Sequence, residues 1–560
     1  MMDERRTAGW IGFGAGVVAA ALMGVAMLVV RMAAGVPSYP ELIGNALTSN
    51  VPIALFNLST GTLGTETKPL LFSIIVLCMV AVGGLLGLLY TRRLCRPDQG
   101  WRGLLFPAVR LGGIVWLVLM LVLSPLVGAG VLGISLRGGP TGYLLTGLLL
   151  CGIYAAALAG MTAALRSAFI PHAADPSKPK KAAQIARDER RRALLHNIAI
   201  GAAVVSLGGL AVQVRRFAFH SVPGTSAPDA TSPDEPTAVQ QQAAAIAQVA
   251  RAQVGPSTDP AFATVASKLP AEVTDADHFY VISKNFSDPV VHSERWKIDV
   301  NGLVERPFSL TYADLIAMPS VTFLRTMECI SNDIGGNLIS NGEWTGVPLR
   351  MVLEQAGMKP GAIKVQFTAF DSYTTAIPLG EAMEEQTILA YHLNGVPLPQ
   401  RHGFPARLIF PAHFGMKNPK WITTITPTSD DYLGYWERQG WTDSSVVQTM
   451  SRIDTPTRTT ELKVGVETII AGIAYAGNRG IAKAEVSTDD GESWHEAALQ
   501  PPLGPLTWVF WAYHWTPPKT GEFKVLVRAT DGTGALQTAK SSPPIPTGAT
   551  GYHRIPMTVR

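Results

Sequence analysis

Cysteine is scarce in this chain, with four among 560 residues. Cys78 and Cys151 lie inside apolar runs and Cys95 in a short basic loop, which leaves Cys329 without a partner in its own half of the molecule. That distribution excludes a disulfide framework. No CxxC pair and no CxxCH occurs, so a cysteine-bound zinc, an iron–sulfur cluster and a covalently attached haem are excluded as well. In the apolar runs the only histidine is His196, so the paired histidines of an intramembrane haem are missing. The formal net charge of +4 comes largely from loops beside those runs and gives no nucleic-acid footprint.

Apolar sequence is what the first 216 residues have in excess. Five runs, 9–30, 70–90, 111–131, 144–165 and 193–214, are long and uncharged enough to span a bilayer. The stretch 40–58 is broken by Asn45, Asn50, Pro52 and Asn57 and reads as an interfacial or re-entrant segment. Lys and Arg crowd the loops 91–110 and 166–192, whereas the alternate loops hold Arg31, Lys68 and Arg137. The positive-inside rule then puts the N-terminus inside, gives a membrane domain of five helices over 1–216 and leaves the rest of the chain outside. The spans read as an anchor and a docking surface for a partner. Arg191-Arg192 before the fifth run fits either a twin-arginine export signal or ordinary positive-inside charge.

Residues 217–259 read as a linker, Pro/Ser/Thr/Ala-rich at first and then one modest Ala/Gln-rich helix over 238–253. In 260–453, strand patterns at 296–300 and 365–369 mix with short helices at 311–316 and 349–356 without regular alternation, which predicts an α+β domain. Thr311 and Asp314 make a capping box for the first helix. The run Val321–Leu324 leads into Cys329 and a Ser/Asn/Gly loop, a strand ending in a tight turn with a thiol at its tip. Such a thiol is either a metal ligand or an inert buried side chain. In 454–560, alternating runs at 467–475, 481–487, 507–515 and 523–530 separated by turns predict an immunoglobulin-like β-sandwich.

Six segments carry a family resemblance: DHFYVISKNFSDP, VNGLVERPFSLTYADL, MECISN, GVPLRMVLEQAG, ILAYHLNGVPLPQRHGFPARLIFP and KNPKWI. In order and spacing they resemble the sulfite oxidase family of molybdenum–molybdopterin enzymes over about residues 275–453. AKAEVSTDDGESWHEA and VLVRATDGTG are similar to that family's C-terminal dimerisation domain, and a homodimer through 454–560 is expected from it. The resemblance implies that Cys329 is a molybdenum ligand beside a pterin dithiolene, a role that suits a soft thiolate. It also implies that Lys284, Asn285, Phe286, Asp371, His402, Arg407, Asn418 and Lys420 bind the cofactor. No haem, flavin or iron–sulfur cluster is expected, so electrons pass through a separate carrier or membrane redox protein.

The departures from sulfite oxidase bear on the substrate. Asp333 and Ile334 follow Asn332 where sulfite oxidases carry arginines, Trp441 replaces their active-site tyrosine, and Phe286 replaces a histidine. Fewer cations and an added acid disfavour a dianion such as sulfite. The periplasmic methionine sulfoxide reductase branch also lacks those arginines and shares the Phe279-Tyr280 pair. The expected reaction is two-electron oxygen-atom transfer on a small sulfur or nitrogen compound, with Asp333 and Trp441 on the substrate side. Sulfite dehydrogenation and a non-catalytic tethered binding or adhesion module are the alternatives.

Overall fold

The computed structural model describes residues 2–34, 36–50, 67–94, 101–127, 129–133, 140–169, 237–257, 259–285 and 288–560. The expected fifth span, Arg191-Arg192, Cys95, Phe286 and the start of the linker lie outside the described residues. The chain divides into two units, 1–225 with 284–287 and 226–283 with 288–560.

In the first unit, four helices are long and apolar enough to cross a membrane: Ala8–Arg31, Leu70–Leu94, Arg102–Leu126 and Thr141–Ser167. They lie within α1 (Met2–Ala34), α3 (Thr67–Leu89, extended to Leu94), α4 (Trp101–Val118, extended to Leu126) and α5 (Pro140–Phe169). The expected interfacial segment contains a short helix, α2 (Tyr39–Asn50). Helices α1 and α3 meet on glycines: a Cβ on Gly16 would stand 2.2 Å from the carbonyl oxygen of Gly83, and one on Gly87 2.1 Å from that of Gly12. Small residues four apart on both helices let the backbones touch, as membrane helices do when no water is there to drive association. The third apolar helix corrects the sequence reading, beginning at Arg102 instead of residue 111. Arg102 and Arg110 fall inside it because long basic side chains can lie along a helix and reach beyond its apolar stretch. It ends early because Gly130, Leu132 and Gly133 take left-handed conformations that no helix continues.

The second unit opens with the linker helix α6 (Ala238–Val254), capped by Thr237 and Gln240. Two sheets follow. One has the order β2-β1-β10-β5-β6, built from β1 (Lys297–Val300), β2 (Phe308–Thr311), β5 (Lys364–Ala369), β6 (Thr374–Pro378) and β10 (Ile422–Thr428). The other has the order β3-β4-β7-β8 with β9 on β7, from β3 (Val321–Glu328), β4 (Ile339–Pro348), β7 (Ile388–Leu393), β8 (Val396–Pro397) and β9 (Arg407–Ile409). The helix Leu349–Ala356 turns Leu349, Val352, Leu353 and Ala356 inward at helical spacing, and they join Ile298, Phe367, Leu389 and Leu408 in one core. The mixed α+β architecture and the Thr311–Asp314 capping box are as the sequence predicts.

Seven strands make up the C-terminal region: β11 (Met450–Thr455), β12 (Thr468–Tyr475), β13 (Ile481–Ser487), β14 (His495–Leu499), β15 (Val509–Trp515), β16 (Gly521–Asp531) and β17 (His553–Val559). They form one hydrogen-bonded path, β11-β12-β15-β14-β13-β16-β17, in which β14 pairs with both β15 and β13. Ile470 and Trp511 from one end share a core with Val486, Val525 and Ile555 from the other, so the path curls around its own apolar face.

Candidate active site

Strand β3 delivers Cys329 to the first position of its exit loop. The loop is fixed by local bonds: Cys329 N–H donates to Leu338 O at 2.9 Å, Asn332 N–H to Cys329 O at 3.0 Å, and Leu338 N–H to Asn332 Oδ1 at 2.9 Å. Asn332 Nδ2 donates to Glu328 Oε1 at 2.9 Å and ties the loop back to the strand. The thiol is buried, with the Ser331 N–H donating to Sγ at 3.4 Å. Burial pushes it up to about 11 and raises the neighbouring Glu328 carboxyl to about 7. A thiolate here requires a positive partner, which a metal ion supplies.

Buried basic groups converge on the same region. Arg407 on β9 donates from Nη1 to His402 O and from Nη2 to Asn418 O, both at 3.1 Å, and lies over the Trp344 ring at 5.3 Å. Arg325 on β3 donates to Asn418 Oδ1 at 3.0 Å and to the carbonyls of Phe410 and His413. Burial lowers both guanidinium groups to about 10. His402 Nε2 bonds Ala276 O at 2.7 Å, and burial first, then the nearby cations, hold the ring neutral with a value near 3. Lys420 donates to Arg401 O at 3.0 Å and sits over Trp421; burial lowers its ammonium, partly offset by Asp288 and Asp371. Half-buried Tyr280 has a buried hydroxyl with no hydrogen-bond partner, held far above its usual range by burial and the nearness of Cys329. Left-handed backbone at Ser372, Ala412 and Trp421 flanks this region, and such strain clusters at functional sites.

Residues 285–436 match the oxidoreductase molybdopterin binding domain, and residues 444–559 match the Mo-co oxidoreductase dimerisation domain. The uncharacterized oxidoreductase YuiH of Bacillus subtilis (strain 168) is 34% identical over 164 residues, which cover 28% of this chain and 81% of YuiH. The chain belongs to the sulfite oxidase family of molybdopterin-dependent oxidoreductases. Mitochondrial sulfite oxidase of Rattus norvegicus is 30% identical over 276 residues, 41% of this chain and 50% of that protein. The YedZ1 subunit of Azospira oryzae (strain ATCC BAA-33 / DSM 13638 / PS), provisionally named for a protein-methionine-sulfoxide reductase, is 35% identical over 151 residues, 27% of this chain and 56% of that one. The chain thus spans only about half the length of these last two relatives. As a member of this family it is a molybdopterin oxidoreductase.

The residues present fit the family's cofactor. Among the described residues no group of three or more His, Cys, Asp or Glu could hold a metal ion, so the donor set is one thiol and most ligands would come from a pterin. Arg407 Nε and Arg325 Nε are buried and without a partner, and two of the three Lys420 N–H donors are not used by Arg401, which suits an anionic cofactor. Cys329, His402, Arg407 and Lys420 would hold it. Asn418, expected to bind the cofactor, spends its carboxamide on the protein: Oδ1 accepts from Phe410 N at 2.6 Å and from Arg325, and Nδ2 donates to Phe414 O at 3.1 Å. Asp371 closes a turn by accepting from Tyr373 N at 3.1 Å. Asp333 is exposed, its carbonyl accepting from Gly336 N at 2.8 Å. Trp441 is buried and stacked on Trp436 with ring centroids 4.3 Å apart. Lys284 and Asn285, in the first unit, bond each other from Nζ to Oδ1 at 3.0 Å. Sequence reasoning missed Arg325 and Glu328, whose only signal is two charged residues inside a strand pattern.

Proposed function

We propose that this protein is a membrane-anchored, extracytoplasmic molybdenum–molybdopterin oxidoreductase that reduces a small S- or N-oxide. The observation that carries the reading is the buried Cys329 thiol beside Tyr280, a neutral phenol that also feels the guanidinium groups of Arg407 and Arg325. The bound cofactor would supply two-electron redox chemistry and oxygen-atom exchange. The chain's own residues exclude water from the thiol, hold the pterin phosphate through Lys420 and Arg407, and present neutral His402 as a hydrogen-bonding group. Asp333 and Ile334, in place of cations after Asn332, favour an uncharged substrate over sulfite, and the name given to YedZ1 supports the same direction. The four apolar helices and the Lys/Arg bias of the loops support an anchor with the catalytic half outside, and a fifth span at 193–214 completes that topology. The match of 444–559 to a dimerisation domain supports a homodimer. Electrons enter from a separate carrier, and an immunoglobulin-like relationship of the curled sheet belongs to the same proposal.

The deciding experiment is molybdenum and pterin content of the detergent-purified full chain, wild type against Cys329→Ser, with paramagnetic resonance of the Mo(V) state. Near-stoichiometric metal in the wild type and a lost or altered signal in the variant are expected. A folded wild type without metal, from cells that make the cofactor, would leave a tethered binding module. Faster turnover of sulfite with ferricyanide than of dimethyl sulfoxide with reduced viologen would reverse the proposed direction.

A further inference from the structure

Lys417 is 2% exposed, and an ammonium that deep is costly unless its donors are all used. They are: Nζ lies 2.7 Å from Glu437 Oε1, 2.7 Å from Asp443 Oδ1 and 2.9 Å from Ala376 O. Glu437 also accepts from Thr375 Oγ1 at 2.8 Å, and Asp443 is gripped on its other oxygen by Lys364 at 2.7 Å. These carboxylates are not placed at random in the chain. Glu437 directly follows Trp436, and Asp443 lies two residues after Trp441. Trp436 and Trp441 stack at 4.3 Å and 12°. One buried ammonium therefore holds both ends of the segment that carries the indole pair.

The segment packs against β6 and Tyr373. Tyr435 N–H donates to Thr374 O at 2.8 Å, and the Tyr435 ring lies 5.9 Å from that of Tyr373 and 4.8 Å from that of Trp436. Tyr373 follows the Asp371 turn and donates its hydroxyl to Met416 O at 2.7 Å, in the turn where a Cβ on Gly415 would stand 2.7 Å from the Tyr280 hydroxyl and 3.5 Å from Glu328 O, next to Cys329. We propose that Lys417 is a positioning residue that sets an aromatic substrate wall, Tyr435, Trp436 and Trp441, against the Cys329 centre. The wall is made of π faces and its charges are consumed internally, so it favours uncharged, polarisable substrates such as a sulfoxide or thioether over anions. This rests on the oxidoreductase reading only for the wall's task; the clamp itself does not depend on it.

The test uses the full chain carrying Lys417→Arg, the double variant Lys417→Gln with Glu437→Gln, and Trp441→Phe. The double variant avoids stranding a buried carboxylate, and Asp443 keeps Lys364. Stacked indoles give an exciton couplet in far-ultraviolet circular dichroism, read here as the difference from Trp441→Phe. The double variant should lose the couplet, keep its molybdenum, and show KM for dimethyl sulfoxide raised roughly tenfold with kcat changed less than about twofold. Lys417→Arg should restore both signals. An unchanged couplet and KM in a folded, metal-loaded double variant would overturn the proposal. Should that variant fail to fold, Asp443→Asn decides: a weakened couplet with KM up about threefold is expected, and no change in either refutes it. A wild type that binds no molybdenum would sink the enzymatic reading, yet the couplet would still report on the clamp.

Discussion

Asn418→Ala separates a scaffold role from a ligand role in the loop that carries Lys420. The side chain makes three internal bonds, to Phe410 N, Arg325 Nη1 and Phe414 O, and all three partners are buried. Truncation leaves Phe410 N–H unpaired and takes a bond from the Arg325 guanidinium, at about 2 kcal/mol each, while Phe414 O keeps the Lys417 N–H, for a total of about 4 kcal/mol. For a domain of this size each kcal/mol moves the midpoint by about 2–4 °C, so a fall of about 8–16 °C is expected. Asn418→Asp keeps both acceptors and strengthens the bond to Arg325, but sets a carboxylate against Phe414 O, and it should fall between. Thermal melts of the full chain in detergent, followed by tryptophan fluorescence, measure both. Cofactor content should decline in Asn418→Ala only as the fold loosens around Arg407, whose Nη2 bonds the Asn418 carbonyl. An undiminished melting temperature together with lost molybdenum would show that the side chain serves the cofactor directly.

Gly346→Ala would put a Cβ 2.4 Å from Leu389 O and 2.6 Å from Ala390 Cα, both backbone, where β4 and β7 slip register; a loss of about 3 kcal/mol is expected in denaturant titration. Burial alone would raise the Asp531 carboxyl, but bonds from Thr533, Arg479 and the Ala535 N–H outweigh it and hold it far below the usual range. The stability it contributes is complete above the unfolded carboxylate value and is lost as pH falls through the folded one, so Asp531→Asn should flatten the acid limb of a stability–pH curve and lower the neutral plateau. Protein made without pterin should melt several degrees below the loaded form, because an anionic ligand binds only the folded cationic site; identical melts would refute that electrostatic account.

Local chemistry made much of the fold legible. The helix Leu349–Ala356 and the strand Ile481–Ser487 were readable to the residue because apolar spacing alone specifies them. The third apolar helix was misplaced because hydropathy penalises Arg102 and Arg110 wherever their charged ends go. Cys329 was identifiable as a site only through the motifs around it; its isolation from the other cysteines excluded a disulfide but not an inert core thiol. The internal bonds of the Asn418 carboxamide were not legible, because they reach Phe410 and, 93 residues away, Arg325, and no spacing rule links such positions. The Lys417–Glu437 pair was not legible for the same reason, since only the tertiary contact makes its burial possible.

The buried cations fall into two groups once their partners are known. Lys417 is matched by carboxylates within hydrogen-bond distance, so its charge is settled inside the protein and it can act as a strut. Arg325 and Arg407 bond to carbonyl oxygens, a carboxamide oxygen, the Met327 sulfur and the neutral Tyr475 hydroxyl, none of which carries a negative charge. Carbonyl dipoles orient a guanidinium but do not neutralise it, and two such groups in one buried region repel each other, as the lowering of Arg407 by Arg325 shows. A fold gains nothing from that arrangement by itself, since apolar residues of the same volume would cost less. The unsettled charge would suit a bound anion, and the Cys329 thiol, too deeply buried to ionise alone, would suit a metal. Both demands meet in a single anionic cofactor that carries a metal, the class of group the family binds.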